Sequence, residues 1–112
     1  MIAIPVKSEE ENSNLLEEFG KAEYFALINN NKIEILKNEQ KDTQEIANWL
    51  KDKNVNILIS ALKENTFYTL KNNGIKVYCS QVNKIKIDEV LLKYADGELP
   101  ILNKLSFLYQ KV

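Results

Sequence analysis

The chain has 112 residues and a formal net charge of −1, enough for one domain with its own core and too few for two. Its 15 basic residues are all Lys, scattered and matched by acids, which argues against nucleic acid as a partner. It contains no His and one Cys, which excludes His-based metal sites and general bases, internal disulfides and Cys-x-x-Cys metal motifs.

No apolar run approaches the ~20 residues of a membrane-spanning helix, so no membrane association is expected. The N-terminal residues lack the basic-then-apolar layout of a secretion signal, and a reducing cytoplasm is the expected setting.

Ile2 to Val6 reads as a short apolar strand, with Pro5 at a bulge or near its end because Pro donates no ladder hydrogen bond. Lys7 to Asn14 is polar and runs through Glu9-Glu10-Glu11, so it reads as a loop. Leu15-Leu16 then start a helical turn that Phe19 pins to the core, and Gly20 reads as a hinge. Ala22–Ile28 and Lys32–Lys37 form a hairpin around an Asn-rich turn.

Asp42 and Glu45 form a capping box ahead of a helix carrying Ile46, Trp49 and Leu50 on one face, with Asn54 as its stop. Val55–Ile59 is a central strand. A helix over Lys63–Asn72, closed by Asn73-Gly74, leads to a strand over Ile75–Cys79. Ile87, Val90, Leu91 and Tyr94 give the spacing of a third helix, which Gly97 and Pro100 end.

The element order predicts an α/β fold: a five-stranded mixed sheet of order 3-2-1-4-5 with helices on both faces. Ile4, Phe25, Leu27, Trp49, Ile57, Ile59, Leu70, Val77 and Leu91 are the expected core. Residues 100–112 are an extension whose stripe, Ile101, Leu102, Leu105, Leu108 and Tyr109, is expected to pack on the domain or to form a dimer seam. Monomer and homodimer both remain open.

Three stretches carry a resemblance: Met1-Ile2-Ala3-Ile4-Pro5, Glu18-Phe19-Gly20 followed by Tyr24–Ile28, and Leu70–Tyr78 with its Asn73-Gly74 turn. Together they resemble the dinitrogenase iron-molybdenum cofactor biosynthesis (nitrogenase accessory factor-like) family, over about residues 1–99. The resemblance implies a ribonuclease H-like fold and a small non-catalytic protein that binds or carries a metal-cluster cofactor. The cluster would be of iron-sulfur or molybdenum type and is not required for folding. Cluster-assembly proteins would be its partners.

Two departures stand out. Glu18 occupies the place of the His in the family's Ser-x-His-Phe-Gly pattern, and Ser60-Ala61-Leu62-Lys63 replaces a Gly-Gly-x-Gly turn.

Ligands in open α/β sheets gather at the C-terminal ends of strands. That rule places Ser60, Ala61 and Cys79 at one edge, and the fold that the resemblance implies brings Glu18, Phe19 and Gly20 to the same concave edge as the candidate cofactor site, with Cys79 as the metal-ligating residue. Each also has a plainer reading: a packed Cys79, a solvated Glu18 and a helix-capping Ser60.

Glu9, Glu10, Glu11, Glu17 and Glu18 crowd the same edge and oppose an anionic cluster, so weak or absent cluster binding is expected. The alternative reading is a diverged member that binds no cofactor and acts as a protein-interaction or regulatory module. A hydrolase or nuclease on the same fold is a third reading that the sequence disfavours, because Asp42, Asp52, Asp88 and Asp96 all fall on predicted helices or their ends and no strand offers a carboxylate cluster for paired metals.

Overall fold

The computed structural model describes residues 1–10, 14–81 and 84–106. Five strands, β1 (Ile2–Val6), β2 (Tyr24–Asn29), β3 (Lys32–Lys37), β4 (Ile57–Ile59) and β5 (Lys76–Tyr78), form one sheet of order β3-β2-β1-β4-β5. β1 pairs antiparallel with β2 and parallel with β4, and β5 is parallel to β4. The helices are α1 (Thr43–Asp52), α2 (Glu64–Asn72) and α3 (Ile87–Ala95).

Local sequence explains most element ends. Asn29 pairs with Lys32, and Asn30 and Asn31 take φ of 47° and 68°, the double left-handed geometry of a two-residue turn that matches the strand twist. Asp42 Oδ1 accepts from the Glu45 amide at 2.8 Å, and Glu45 Oε2 reaches back to the Lys41 amide at 3.0 Å, so the capping box closes one residue earlier than its ideal. Asn54 turns left-handed after α1, and Gly74 (φ +76°) does so after α2.

Side chains alternate across the sheet. Ala3, Phe25, Leu27, Leu58 and Val77 face α1 and α2, where Ile46, Ala47, Leu50, Phe67 and Leu70 close the core. Ile4, Val6, Ala26 and Ile59 face α3 and meet Ile87 and Val90. The three helices α1, α2 and α3 therefore lie on both faces, two on one and one on the other.

Three expected core residues are only half-buried. Trp49 sits at the rim of α1 with one edge against Phe25, ring centroids 5.8 Å apart. Ile57 and Leu91 belong to the side that α3 covers with Leu16 and Ile85.

The stretch after β1 differs from expectation. Leu15 and Leu16 are extended rather than helical and bridge two parts of the chain: Leu16 pairs with Val6, and Leu15 with Lys86. Leu16 is fully buried. Pro5 lies just past the Ile2 and Ala3 pairs with β4, where no parallel partner needs its missing N–H, and its carbonyl accepts from the Glu17 amide at 3.0 Å.

Asn14 is buried and clamps the loop neck. Its Oδ1 accepts from the Ser8 amide and hydroxyl, and its Nδ2 donates to the Ser8 carbonyl at 2.7 Å.

Beyond α3, the chain returns along the free edge of β5. The Cys79 amide donates to the Pro100 carbonyl and the Leu102 amide to the Val77 carbonyl, both at 2.8 Å. Leu102 packs against the α1/α2 core, while Ile101 and Leu105 are exposed. Leu108 and Tyr109 lie outside the described residues.

Candidate functional site

β1 and β4 run parallel, so their C-terminal ends emerge side by side. The chain leaving β1 returns along it through Leu15–Glu17 and reaches a short 3-10 turn, Phe19–Lys21. Phe19 is buried and meets Phe25 edge-to-face at 5.8 Å, which anchors the turn. The chain leaving β4 passes Ser60 and Ala61 and enters α2.

Between the two lies an open cleft of about 590 Å³. Its near wall is Glu18, Phe19, Gly20 and Lys21. Its far wall is Ala61, Leu62, Lys63, Asn65 and Thr66, that is, the β4–α2 connection and the first turn of α2.

Four of the six candidate residues, Glu18, Phe19, Gly20 and Ala61, therefore meet in one cleft. Ser60 and Cys79 do not line it. Ser60 is fully buried, its hydroxyl donates to the Ala61 carbonyl at 3.2 Å, and the N-cap of α2 is Lys63, so Ser60 caps no helix.

Cys79 follows β5, one strand further out, with its amide given to Pro100. Burial pushes its thiol pKa up, the opposite of what a thiolate ligand requires. Among the described residues, no group of three or more His, Cys, Asp or Glu side chains could hold a metal ion.

The charge balance at the cleft also departs from expectation. Of the acidic residues described on that edge, only Glu18 lines the cleft. Glu17 turns to its own chain, Oε1 accepting from the Glu18 amide at 2.9 Å, and Glu9 and Glu10 are exposed in the loop. Glu11 lies outside the described residues.

Against Glu18 stand Lys21, whose Nζ lies 3.4 Å from its carboxylate, and Lys63 at the positive end of α2. Neither Lys is among the candidate site residues read from the sequence, because an isolated Lys carries no motif; the adjacency of Lys21 to Phe19-Gly20 and of Lys63 to a helix start is the available signal.

Gly20 is informative. Its φ is not positive, and a Cβ built on it meets nothing within 4 Å, so neither backbone geometry nor packing demands glycine there. The expected hinge role is not what the turn uses. Gly20 instead leaves bare backbone at the cleft wall.

The sequence model of the family described as dinitrogenase iron-molybdenum cofactor matches residues 1–97. The chain belongs to that family.

Similar solved structures include the apo form of the orange protein from Desulfovibrio gigas, at 18% identity and a TM-score of 0.79, covering 90% of this chain and 91% of that one. A candidate NifB protein from Thermotoga matches at 27% identity and a TM-score of 0.76, with the same coverage of 90% and 91%. A candidate dinitrogenase from Methanocaldococcus jannaschii matches at 19% identity and a TM-score of 0.63, covering 91% and 93%. No curated protein matches the sequence.

Family membership and the sheet order agree with the fold expected from the sequence. Among the described residues, no helix is long and apolar enough to cross a membrane.

Proposed function

We propose that this protein is a non-catalytic carrier that holds an anionic metal-cluster or thiometallate cargo transiently, in the cleft between the Phe19–Lys21 turn and the start of α2. Cluster-assembly proteins would deliver and collect that cargo. The observation that carries the reading is Gly20: a cleft-lining glycine that the fold does not need, beside two ammonium groups and a helix N-terminus in a member of this family.

That no ligand triad is found among the described residues is in keeping with holding by charge. Charge and amide hydrogen bonds would retain the cargo, with no coordination bond from Cys79. Such contacts are short-ranged, salt-sensitive and readily reversed, which suits a carrier that must release its load. The second reading, a member that binds no cluster and serves as an interaction module, draws on Glu18, whose carboxylate adds negative charge to the cleft wall.

Titrating the labelled protein anaerobically with tetrathiomolybdate, while following amide shifts and the optical spectrum, tests the proposal. Shifts are expected at Gly20, Lys21 and Ala61–Thr66, and weaker binding at higher salt. Gly20→Val should weaken binding about ten-fold while shifting unfolding by under ~0.5 kcal/mol, the range of a surface substitution. Saturable shifts elsewhere, or none at all, would favour the interaction module.

A further inference from the structure

We propose that Glu18 is the specificity-determining residue of the cleft, acting as a built-in counter-anion that holds Lys21 until an incoming anion displaces it. The inference rests on the cleft's being the cargo site. Glu18 precedes the 3-10 turn and Lys21 ends it, and this three-residue separation brings Oε2 within 3.4 Å of Nζ. Both side chains line the cleft and both are solvent-accessible, 53% and 72% exposed.

An ion pair so exposed is weak enough to open under competition. It is not neutral in effect. With Glu18 in place, Lys21 is engaged and Lys63 is left as the other cationic side chain on the cleft wall. Without the carboxylate, both ammonium groups and the positive end of α2 face the ligand. Because Coulomb energy scales with ligand charge, the carboxylate penalises each added negative charge in proportion. Glu18 thus sets how tightly polyanions are held, and it lowers affinity toward the reversible range a carrier needs.

The test compares the full chain with Glu18→Gln, Lys21→Gln and the double variant, titrated at low ionic strength with perrhenate, a monoanion, and with molybdate and tetrathiomolybdate, both dianions, and read by amide shifts. The Glu18→Gln gain should be larger for the dianions than for the monoanion, and an equal gain would remove charge discrimination from the account. Glu18→Gln should bind about five-fold tighter and Lys21→Gln a few-fold weaker, with both differences shrinking at high salt, as expected for exposed charges. In the Lys21→Gln background the Glu18→Gln gain should fall to about two-fold, the part due to through-space repulsion alone.

If the unsubstituted chain binds in the cleft but Glu18→Gln binds equally or less well, Glu18 is no competitor and this inference fails while the carrier reading stands. An equal gain in both backgrounds would remove Lys21 from the account and overturn the pairing. If none of the four proteins shifts at the cleft, the carrier reading itself fails and takes this inference with it.

Discussion

The two faces of the sheet are built to different standards. On the α1/α2 face, Phe25 sits at the centre of an aromatic run, edge-to-face with Phe19 on one side and Trp49 on the other. Two helices and Leu102 from the C-terminal segment close over it.

On the opposite face the described cover is one helix, α3, with Leu16 and Ile85 from the loops beside it. Ile4, Val6, Ala26 and Ile59 are fully buried beneath that cover, while Ile2, Tyr24, Ile28, Ile33, Ile35 and Ile57 are only half-buried. A helix is about 10 Å wide and neighbouring strands are about 4.8 Å apart, so one helix covers roughly two strands of five. The contrast teaches where stability and function separate. The fully packed face carries the turn that walls the cleft, because Phe19 is one of its core residues.

The largest test of the contrast is Phe25→Ala. It should cost about 3–5 kcal/mol in chemical denaturation, since it opens a cavity under two helices. Trp49→Ala, for which full burial predicts the same range, should cost about 2 kcal/mol because its outer edge already meets water. Equal losses would mean that the rim of α1 is as tightly packed as its centre.

Deleting residues 101–112 is the next largest. It removes Leu102 from the α1/α2 core and the hydrogen bond from its amide to Val77, for an expected loss of about 1–3 kcal/mol. Light scattering on the truncated chain would show an unchanged mass if the segment serves its own domain, and a fall from dimer to monomer if it forms a seam between copies.

Ile33→Ser probes the under-covered face. Ile33 lies on the edge strand and is half-buried, so unfolding should shift by about 1 kcal/mol or less. A loss as large as that for Phe25 would show that the edge of this face is packed as fully as the α1/α2 core.

The smallest effect is in pH dependence. Burial raises the Cys79 thiol pKa, and burial together with the charge of Tyr78 raises that of Tyr94. A raised pKa in the folded state means that the unfolded chain ionises first. The stability held below the ordinary thiol and phenol values is therefore lost as pH climbs through the folded ones. Denaturation midpoints should decline only in the alkaline range, and Cys79 should alkylate slowly at neutral pH; fast neutral alkylation would refute its raised pKa.

Much of the cleft was legible in the sequence, but unevenly. Phe19-Gly20 was conspicuous because an apolar residue and a glycine interrupt an acidic loop, and Ala61 because it follows a short apolar strand. Cys79 was conspicuous only as the single cysteine. It follows a strand as Ala61 does, yet β5 lies one position further from β1, and the cleft lies between the β1 and β4 ends. Leu15-Leu16 was misread as a helical start because two adjacent leucines fit a helix or a strand equally well. Their backbone partners, Val6, Lys86 and Ile85, are distant in sequence, and only those partners made the segment extended.

Periodicity, capping and turn chemistry act between neighbours a few residues apart, and so the strands, the helices, the Asn30-Asn31 turn, the Asp42 cap and the strand order were readable without coordinates. What lies across the fold from what is set by packing over long sequence separations. That decided the half-exposure of Trp49 and Ile57, the docking of Pro100 and Leu102 on β5, and the meeting of Glu18 and Lys21 with Lys63 more than forty residues along the chain. Charge carries no periodic signature, so a sequence displays its lysines and glutamates, and only the folded chain shows which of them face one another.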